Sequence, residues 1–346
     1  MKKGLVLEGG AMRGMFSAGV MDVLMENGIE FDGLVGVSAG AVFGCNYKSK
    51  QIGRTIRYNM KYIKDPRYCS FRSLIKTGDM FGKDFCYNKI PNELDVFDND
   101  TFKSNPLKFY VVATDINTGK AIYKPIDSAD EKGLEYMRAS ASMPLVSTII
   151  SIDGKELLDG GITDSVPLEF FINKGYEKNL AVLTQPKGYI KEKNSLIPIM
   201  KLSLRKYPKL IDAMANRHIL YNNQIEYAEN AEKLGKAFII RPKEKLPIGR
   251  LEKNPETLRK VYDLGRQEAL DNLDISDRTA TLLRNMSSVV YFAHPMIINL
   301  FGLIIAKEDA ERITYFFIIS FLSAVTAFVL CKIKEKTNSK ILSLFM

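Results

Sequence analysis

The chain has 346 residues and a formal net charge of +9, with 46% hydrophobic and 26% charged residues. These proportions indicate a folded protein with one large or two modest domains. The basic residues are scattered and form no recognisable nucleic-acid motif, so no nucleic-acid partner is expected, and an anionic membrane surface is favoured instead. The four cysteines are widely spaced, without a C-x-x-C pair, and predict neither a disulfide framework nor a zinc site.

The first predicted strand, residues 4–7, is followed by a glycine-rich loop from Glu8 to Gly14 and a helix from Met15 to about Asn27. Consecutive backbone N–H groups in such a loop can bind a phosphate or an oxyanion. The glycine spacing fits neither the P-loop nor the dinucleotide fingerprint, which favours the oxyanion role. The first apolar stretch is too short for a signal-peptide core, so the first domain is expected to stay where it is synthesised.

The second predicted strand, Phe31 to Val37, runs into Gly36-Val37-Ser38-Ala39-Gly40 and a helix that extends to about Tyr47. A G-x-S-x-G sequence at the end of a strand is typical of a nucleophile elbow, where a sharp turn exposes the serine hydroxyl. The start of the following helix would place free N–H groups and the positive end of its dipole beside that hydroxyl. Ser38 is therefore the candidate nucleophile, and Gly36 and Gly40 are the small residues that the turn needs.

The elements after the elbow alternate between strands and helices. Helices and loops at one edge are expected over residues 51–105, and a helix over about 128–140. The predicted strands are 108–114, a hairpin partner at 121–123, 146–152, 156–158, 180–183 and 237–241. Apolar strands that alternate with helices predict a three-layer α/β/α sandwich with a mainly parallel sheet.

The segment from Lys187 to about Asn285 is helical and basic in pattern. Its basic residues fit either a solvated helical face or a membrane-facing rim over the active site; they are Lys191, Lys193, Lys201, Arg205, Lys206 and Lys209. We predict that residues 186–286 form a mainly helical extension that completes or covers a catalytic domain at residues 1–185.

Two apolar runs, Val289 to Ala306 and Ile313 to Cys331, predict a transmembrane helical hairpin within residues 287–346. A basic tail follows the second run and assigns both ends of the hairpin to the cytoplasmic side. The catalytic domain is then expected to be cytoplasmic and attached to the membrane, in a bacterium to the inner membrane. The alternative is a hairpin buried in a dimer interface, and the oligomeric state is left open.

Three motifs together resemble the patatin-like phospholipase family, in particular its bacterial members, over roughly residues 1–185. They are the loop Gly9-Gly10-Ala11-Met12-Arg13-Gly14, the elbow around Ser38, and Asp159-Gly160-Gly161. The segments Ala113-Thr114-Asp115 and Ala141-Ser142-Met143-Pro144 also look like that family. The resemblance implies a lipid acyl hydrolase with a serine–aspartate dyad and no metal or cofactor.

In this interpretation Ser38 attacks the ester carbonyl and Asp159 accepts and returns the proton. The resemblance implies an oxyanion hole in the loop that contains Gly9, Gly10, Ala11, Arg13 and Gly14, with Gly160 and Gly161 supporting the aspartate. Arg13 could stabilise the oxyanion loop, hold an anionic head group or form a structural ion pair. The chain has only two histidines, and neither His218 in a helical, polar segment nor His294 in an apolar run has a setting that favours a triad.

Two departures from the family pattern concern the loops. Ala11 stands where the family usually has a third glycine, which restricts the backbone dihedrals of the oxyanion loop. Ser165 stands where an asparagine often precedes the proline, a change expected to affect loop support. The expected substrate is a phospholipid or another acyl-ester lipid, and the expected partner is the membrane. An acyltransferase with the same dyad and a membrane-tethered regulatory module without turnover are the alternatives.

Overall fold

A computed structural model describes residues 1–273, and the predicted C-terminal hairpin lies outside them. Residues 1–269 form one compact unit around a single sheet. The eight strands are β1 (Lys2–Leu7), β2 (Gly33–Val37), β3 (Lys108–Asp115), β4 (Lys120–Pro125), β5 (Ile150–Ile152), β6 (Lys155–Asp159), β7 (Tyr176–Val182) and β8 (Ala237–Ile240).

Ten α-helices, a π-helix at Phe85–Leu94 and two 3₁₀ turns at Ala11–Arg13 and Gly160–Ile162 complete the part of the chain that the structure describes. The α-helices are α1 (Gly14–Glu26), α2 (Ala39–Lys48), α3 (Arg54–Tyr62), α4 (Phe71–Thr77), α5 (Asn99–Ser104), α6 (Glu131–Ser140), α7 (Leu168–Asn173), α8 (Ile197–Ser203), α9 (Pro208–Lys233) and α10 (Pro255–Leu273). Within these residues, no helix combines the length and the apolarity that a bilayer span requires.

The sheet has the strand order β5-β6-β3-β2-β1-β7-β8, and β4 also pairs with β3. The strands β3, β2, β1, β7 and β8 run parallel to one another, whereas β4, β5 and β6 pair antiparallel. Strand β2 is buried along its whole length, which explains its continuous apolar and glycine sequence. The predicted mainly parallel sheet and the hairpin between β3 and β4 are present.

Helices cover both faces of the sheet and make three layers. On one face α7 and α9 pack through Phe171, Tyr221 and Ala228 against buried strand residues such as Val6 and Val35. On the other face α2 packs on β1 and β2, and α1 lies beside α2. The Tyr262 hydroxyl of α10 donates a hydrogen bond of 2.7 Å to Asp22 of α1, so α10 extends this second layer.

One predicted strand is shorter in the structure. Only Ile150–Ile152 of the predicted segment 146–152 forms a strand. The Thr148 N–H instead donates a 2.7 Å hydrogen bond to the Asp79 carboxylate, and the Val146 carbonyl accepts one of 2.9 Å from the Met80 N–H. These contacts hold residues 146–148 against the segment before the π-helix, so the prediction for that part was wrong.

Candidate active site

Ser38 lies at the sharp turn between β2 and α2. Its φ of 54° and ψ of −120° are unusual for a residue with a side chain, and the residue is only 8% exposed. A Cβ on Gly36 would lie 2.4 Å from the Gly40 carbonyl oxygen, and one on Gly40 would lie 2.5 Å from the Leu7 carbonyl oxygen. Both elbow positions therefore require glycine, and the geometry is that of a nucleophile elbow.

The sheet register brings Asp159 to Ser38. At the end of β2, Val37 pairs with Val112 of β3, and the next residue of β3, Ala113, pairs with Asp159 of β6. Strand β6 therefore takes the place beside β3 that β2 leaves when it turns at Ser38. Ser38 and Asp159 border the same pocket, and the Ser38 hydroxyl is close enough to the Asp159 carboxylate to lower the pKa of that carboxyl.

The Asp159 carboxylate is 4% exposed and accepts a 2.7 Å hydrogen bond from the Gly161 N–H. Burial raises the pKa of this carboxyl above its ordinary value. The nearby Arg217 guanidinium, the Ser38 hydroxyl, the Gly161 N–H and the Arg250 guanidinium act in the opposite direction but do not cancel the effect of burial. A buried carboxylate with a raised pKa is a stronger base than an exposed one.

The end of α6 holds both candidate catalytic residues by their backbones. The Ser38 N–H donates a 2.8 Å hydrogen bond to the Ser140 hydroxyl, and the Asp159 N–H donates one of 2.8 Å to the Ser142 carbonyl. Ser140 was not singled out from the sequence, although it directly precedes the segment from Ala141 to Pro144 that resembles the family.

The glycine-rich loop lies directly over the serine. A Cβ on Gly9 would lie 2.9 Å from the Ser38 Cβ. Neither the Gly10 N–H nor the Ala11 N–H donates a hydrogen bond to another residue that the structure describes. Ala11 has a φ of 50°, in the left-handed region that glycine adopts without strain. The loop therefore takes a glycine-like shape even though alanine stands at this position.

Residues next to the two motifs support the loops. Gly14 packs on Ala39 and Phe43 at the start of α2. The Ser165 hydroxyl donates a 2.8 Å hydrogen bond to the Gly161 carbonyl, so the serine in place of asparagine still supports the Asp-Gly-Gly turn. A Cβ on Gly160 would lie 2.1 Å from the Val112 carbonyl oxygen, which explains the glycine there.

Ser38 borders two cavities of different character. One, here called the apolar cavity, has a volume of about 130 Å³ and is lined mostly by apolar and aromatic side chains, among them Met12, Val42, Phe43, Ile90 and Met137. The other, here called the serine pocket, has a volume of about 40 Å³ and is bordered by Ser38, Asp159, Gly9, Gly10 and Ala11 together with several charged side chains. Ala11 and Ser38 belong to both walls.

A wider cleft of about 660 Å³, here called the outer cleft, shares Asp159, Lys191, Arg217 and Arg250 with the serine pocket. His218 lines this outer cleft, and its Nδ1 has no hydrogen-bond partner in the described part of the chain. Ser38 does not border the outer cleft. His294, the other histidine, lies outside the described residues.

Several charged residues of the serine pocket were not assigned to the site from the sequence. Lys191 was considered only as part of a solvated face or a membrane rim, but it is half-buried and borders the pocket. The buried Glu8 carboxylate accepts hydrogen bonds of 2.6 Å from the Thr184 N–H and 2.9 Å from the Tyr221 hydroxyl. Helix α9 thus reaches the site through Tyr221. The sequence around Tyr221 contains no motif that indicates this contact with the site. Only the position of α9 in the fold reveals it.

Arg217 of α9 donates a hydrogen bond from Nε to the Gly161 carbonyl. Together with the Ser165 hydroxyl, it fixes the turn that carries Asp159. Among the described residues, no group of three or more histidine, cysteine, aspartate or glutamate side chains could hold a metal ion.

Comparisons with known proteins match two parts of the chain. A family model described as Patatin-like phospholipase matches residues 5–172, and one described as Domain of unknown function (DUF6363) matches residues 207–275. The structure of VipD from Legionella pneumophila is similar, with a TM-score of 0.40 and 13% identity. The match covers 78% of this chain and 66% of the VipD chain.

Curated relatives are similar over about half of this chain. Uncharacterized protein YjjU from Escherichia coli is 27% identical in an alignment of 199 residues that covers 53% of this chain and 52% of that protein. Lysophospholipase nte1 from Aspergillus niger is 26% identical in an alignment of 190 residues that covers 52% of this chain and 12% of the fungal protein. Patatin-like phospholipase domain-containing protein 7 from Rattus norvegicus is 28% identical in an alignment of 191 residues that covers 51% of this chain and 13% of the rat protein. The chain thus spans about half the length of the bacterial relative and a small part of the other two.

Proposed function

Because this chain belongs to the patatin-like phospholipase family through residues 5–172, we propose that it hydrolyses carboxylic esters of lipids with Ser38 as nucleophile and Asp159 as base. The observation that carries the proposal is the meeting of these two side chains, from distant parts of the sequence, under a loop with unused N–H groups. The names of the fungal and rat relatives support a lipid substrate.

The reaction proceeds in two halves. The Ser38 oxygen attacks the ester carbonyl carbon while its proton moves to the Asp159 carboxylate. The N–H groups of Gly10 and Ala11 stabilise the negative charge that forms on the carbonyl oxygen, and such donors are each worth about 2.7–4 kcal/mol. When the carbon–oxygen bond to the alcohol breaks, Asp159 gives the proton to the leaving oxygen, and the acyl group stays on Ser38.

Water completes the cycle. Asp159 takes a proton from a water molecule as its oxygen attacks the acyl carbon, the bond to Ser38 breaks, and the proton returns to the serine oxygen. Arg217 holds the turn that carries Asp159 through the Gly161 carbonyl. The hydrogen bonds from the end of α6 keep both backbones in place, so little reorganisation accompanies the reaction.

The two cavities around Ser38 fit an amphiphilic ester. The apolar cavity suits an acyl chain, because its walls are largely aromatic and aliphatic. The serine pocket is polar and charged and suits the alcohol part, and the outer cleft beyond it has both polar and apolar walls. An ester bond at the junction would lie at Ser38.

The direct test is turnover of a short-chain acyl ester by the full chain together with labelling by a fluorophosphonate probe. We expect the Ser38→Ala and Asp159→Asn variants to lose activity about a thousandfold or more, because each removes one half of the proton-transfer pair. Ser38→Ala abolishes labelling. Ser203→Ala and Asp212→Asn replace exposed residues of α8 and α9 and are the matched controls. A wild-type protein that neither labels nor turns over esters contradicts the proposal and supports a non-catalytic membrane module.

An acyltransferase with the same dyad is the second candidate, because the outer cleft could admit an acceptor alcohol as well as water. Product analysis in the presence of glycerol and lysolipid acceptors separates the two. Free fatty acid as the main product supports the hydrolase, whereas acylated acceptor in excess supports the transferase.

We also propose that the outer cleft opens towards a membrane. The helix α8 supplies Leu196 at its N-cap and Met200 to the lining of the cleft. Two further side chains of α8, Ile199 and Leu202, are 55% and 78% exposed, and Ile190 at the cleft is 71% exposed.

The exposed basic residues Lys193, Lys201, Arg205 and Lys206 lie in the same segment. Exposed apolar side chains among basic ones suit an anionic lipid surface. The C-terminal hairpin, predicted from sequence, would keep the protein at such a surface.

A further inference from the structure

The short helix α4 carries an apolar stripe that is directed towards solvent. Phe71, Leu74 and Ile75 occupy positions i, i+3 and i+4 of the helix and therefore share one face. Phe71 is 69% exposed, Ile75 is 85% exposed, and no residue of α4 is buried. This spacing normally places a helix against a hydrophobic core. In α4 the part of the chain that the structure describes leaves the stripe mostly uncovered.

Caps at both ends define α4. The Ser70 hydroxyl accepts a 3.0 Å hydrogen bond from the Ser73 N–H and donates one of 2.6 Å to the Pro66 carbonyl. At the other end Gly78 has a φ of 80°, and its N–H donates a 2.8 Å hydrogen bond to the Leu74 carbonyl. Because both ends of the helix are fixed, its apolar side chains are held in their outward positions.

Helix α4 is the tip of an antiparallel excursion, here called the α4 hairpin, at residues 68–82. The Ser70 N–H donates a 3.0 Å hydrogen bond to the Met80 carbonyl, and the Gly82 N–H donates one of 3.1 Å to the Tyr68 carbonyl. Three residues at the base of the α4 hairpin line the apolar cavity, namely Tyr68, Asp79 and Phe81. The chain that carries α4 is thus part of the wall of that cavity.

The second limb of the α4 hairpin is anchored to the rest of the protein through Asp79. Its carboxylate accepts a 2.7 Å hydrogen bond from the Thr148 N–H and pairs with Arg138 of α6 at 3.4 Å. Asp79 and Arg138 are both largely buried, and a buried ion pair is costly to break. The base of the α4 hairpin is therefore rigid, and α4 projects from it.

Helices α4 and α8 flank one segment of the chain. A Cβ on Gly78 would lie 2.7 Å from the Thr148 Cγ2, so the end of α4 lies against Thr148. The nearby Leu145 and Val146 border the outer cleft, which Met200 of α8 also lines. Two helices with exposed apolar side chains thus lie beside residues 145–148, next to the apolar cavity and the outer cleft.

The charge of α4 indicates what covers the stripe. The helix contains two basic residues, Arg72 and Lys76, and no acidic one, and both basic residues are exposed. Each directly follows a residue of the stripe and lies at its edge. In a symmetric dimer through α4 these like charges would face one another, which is unfavourable. Apolar side chains bordered by basic ones suit an anionic lipid surface.

We propose that α4 inserts Phe71, Leu74 and Ile75 into an anionic lipid surface, with Arg72 and Lys76 at the head groups, and thereby brings acyl chains of that surface to the apolar cavity. Docking of α4 is independent of catalysis, whereas the delivery of acyl chains rests on the proposed lipid hydrolase activity. Three apolar side chains give a modest contact by themselves, so α4 orients the apolar cavity on a surface that the rest of the chain also binds.

Tryptophan fluorescence tests the docking, because the chain contains no tryptophan. Phe71→Trp places a single one on the stripe of the full chain, and Ser38→Ala in the same chain keeps the lipids intact. The vesicles contain equal parts of phosphatidylcholine and phosphatidylglycerol, with or without bromine on the acyl chains. Bromine quenches tryptophan at contact, and an interfacial helix buries its apolar face among the acyl chains, so we expect emission to fall about twofold or more in brominated vesicles.

Leu234→Trp in the same background is the matched control, because Leu234 is 71% exposed and lies outside α4. Its emission should be the same in both kinds of vesicle. Quenching at position 71 that is no stronger than at position 234 overturns the docking. Emission at position 71 that is shifted to the blue but insensitive to bromine shows that protein covers the stripe, either a second copy or another part of the chain, and overturns it as well.

Turnover tests the delivery of acyl chains. The substrates are a long-chain fluorogenic ester dissolved in the unbrominated vesicles and a short-chain ester free in solution. In the full chain with Phe71→Ser and Ile75→Ser we expect the ratio of vesicle turnover to solution turnover to fall about tenfold or more, because two apolar anchors are lost. Leu234→Ser should keep the wild-type ratio. Thermal melting verifies that each variant is folded.

The two hypotheses fail in different ways. A wild-type ratio in the Phe71→Ser and Ile75→Ser variant contradicts delivery through α4 and leaves the hydrolase intact. Absence of hydrolysis of every ester by the wild type contradicts the proposed function itself, and the fluorescence of Phe71→Trp still decides whether α4 docks on lipid.

Discussion

At the scale of single residues, the site combines local strain with burial of charge. Ser38 and Ala11 both have positive φ angles, 54° and 50°, although both carry side chains. Such conformations cost about 1–3 kcal/mol each and persist where the surrounding structure imposes them. Asp159 is buried although it is a carboxylate. These costs fall on residues that face the serine pocket, which suits a preorganised reaction site.

We predict that Ala11→Gly stabilises the protein by up to about 1 kcal/mol, because glycine adopts the observed φ without strain and its greater freedom in the unfolded chain offsets only part of that gain. The substitution keeps the N–H group, so ester turnover should persist. Thermal or urea denaturation measures the change.

Ala18→Gly is the matched control, because Ala18 lies in the interior of α1, where glycine is about 1 kcal/mol less favourable. We expect it to lower the melting temperature. A lower melting temperature in Ala11→Gly as well would show that the loop is not strained at that residue.

The raised pKa of Asp159 makes both activity and stability depend on pH. The base must be ionised, so kcat/KM should fall tenfold per pH unit below a midpoint that lies above the ordinary aspartate value of 3.8. A pH–rate profile of ester hydrolysis measures this midpoint. A midpoint below that ordinary value would contradict the buried-base assignment.

The raised pKa of Asp159 also makes the stability of the folded protein depend on pH. Because the folded state holds the Asp159 proton more tightly than the unfolded state, stability is lost as the pH rises from the unfolded pKa through the folded one. Asp159→Asn removes that loss, so the inactive variant should melt at a higher temperature than wild type near pH 8. The difference should shrink at lower pH.

At the scale of secondary structure, two close approaches shape the site. The elbow brings the first turn of α2 against the end of β2 at Gly36, and the turn after β6 brings Gly160 against the Val112 carbonyl of β3. Both contacts involve backbone atoms, which cannot move aside as a flexible side chain can. The elements therefore meet at distances that only glycine permits.

We predict that Gly36→Ala destabilises the protein by at least about 1–3 kcal/mol and abolishes turnover, because the new Cβ collides with the Gly40 carbonyl and displaces Ser38. Gly249→Ala is the control, since a Cβ there meets no atom within 4 Å. Denaturation midpoints and ester turnover are measured for both. Wild-type activity in Gly36→Ala would contradict the elbow geometry.

At the scale of the whole molecule, parts that are distant in sequence build one site. The segment 5–172 supplies Ser38, Asp159 and the glycine-rich loop, and the segment 207–275 supplies Arg217, Tyr221 and Arg250. Strands β7 and β8 connect these parts within one sheet. The proposed division at residues 185 and 186 stays a prediction.

Membrane association is the prediction that belongs to this scale. We expect the full chain to sediment with anionic lipid vesicles and a chain that ends at residue 286 to bind them much more weakly. In the shortened chain, Ile199→Ser with Leu202→Ser should weaken binding about tenfold or more, since burial of each apolar side chain is worth about 1.5–3 kcal/mol.

Leu234→Ser is the control for an exposed leucine outside α8; Leu234 is 71% exposed. A shortened chain that sediments as strongly as the full chain would refute the hairpin anchor. Equal binding of the α8 double variant and the control would refute the docking surface.

Local sequence was enough for the features that depend on neighbouring residues. The glycines around Ser38 predict a sharp turn, the apolar runs predict parallel strands, and Asp159-Gly160-Gly161 predicts a turn at a strand end. Each of these conclusions depends on backbone sterics or on the burial of a strand. A few consecutive residues are enough to determine either property. The strand predicted at residues 146–149 failed because the distant Asp79 supplies competing hydrogen bonds.

The amino-acid sequence by itself thus determined the motif order, the α/β layers and the candidate pair Ser38 and Asp159. Tertiary structure alone decided that β6 follows β2 along β3, that Ser140 holds the elbow, and that Lys191, Arg217 and Arg250 converge on the serine pocket. The reason is physical. A lysine or arginine on a polar segment has the same local pattern whether it faces water or a cavity, and only the packing of α9 and its neighbours on the sheet determines which.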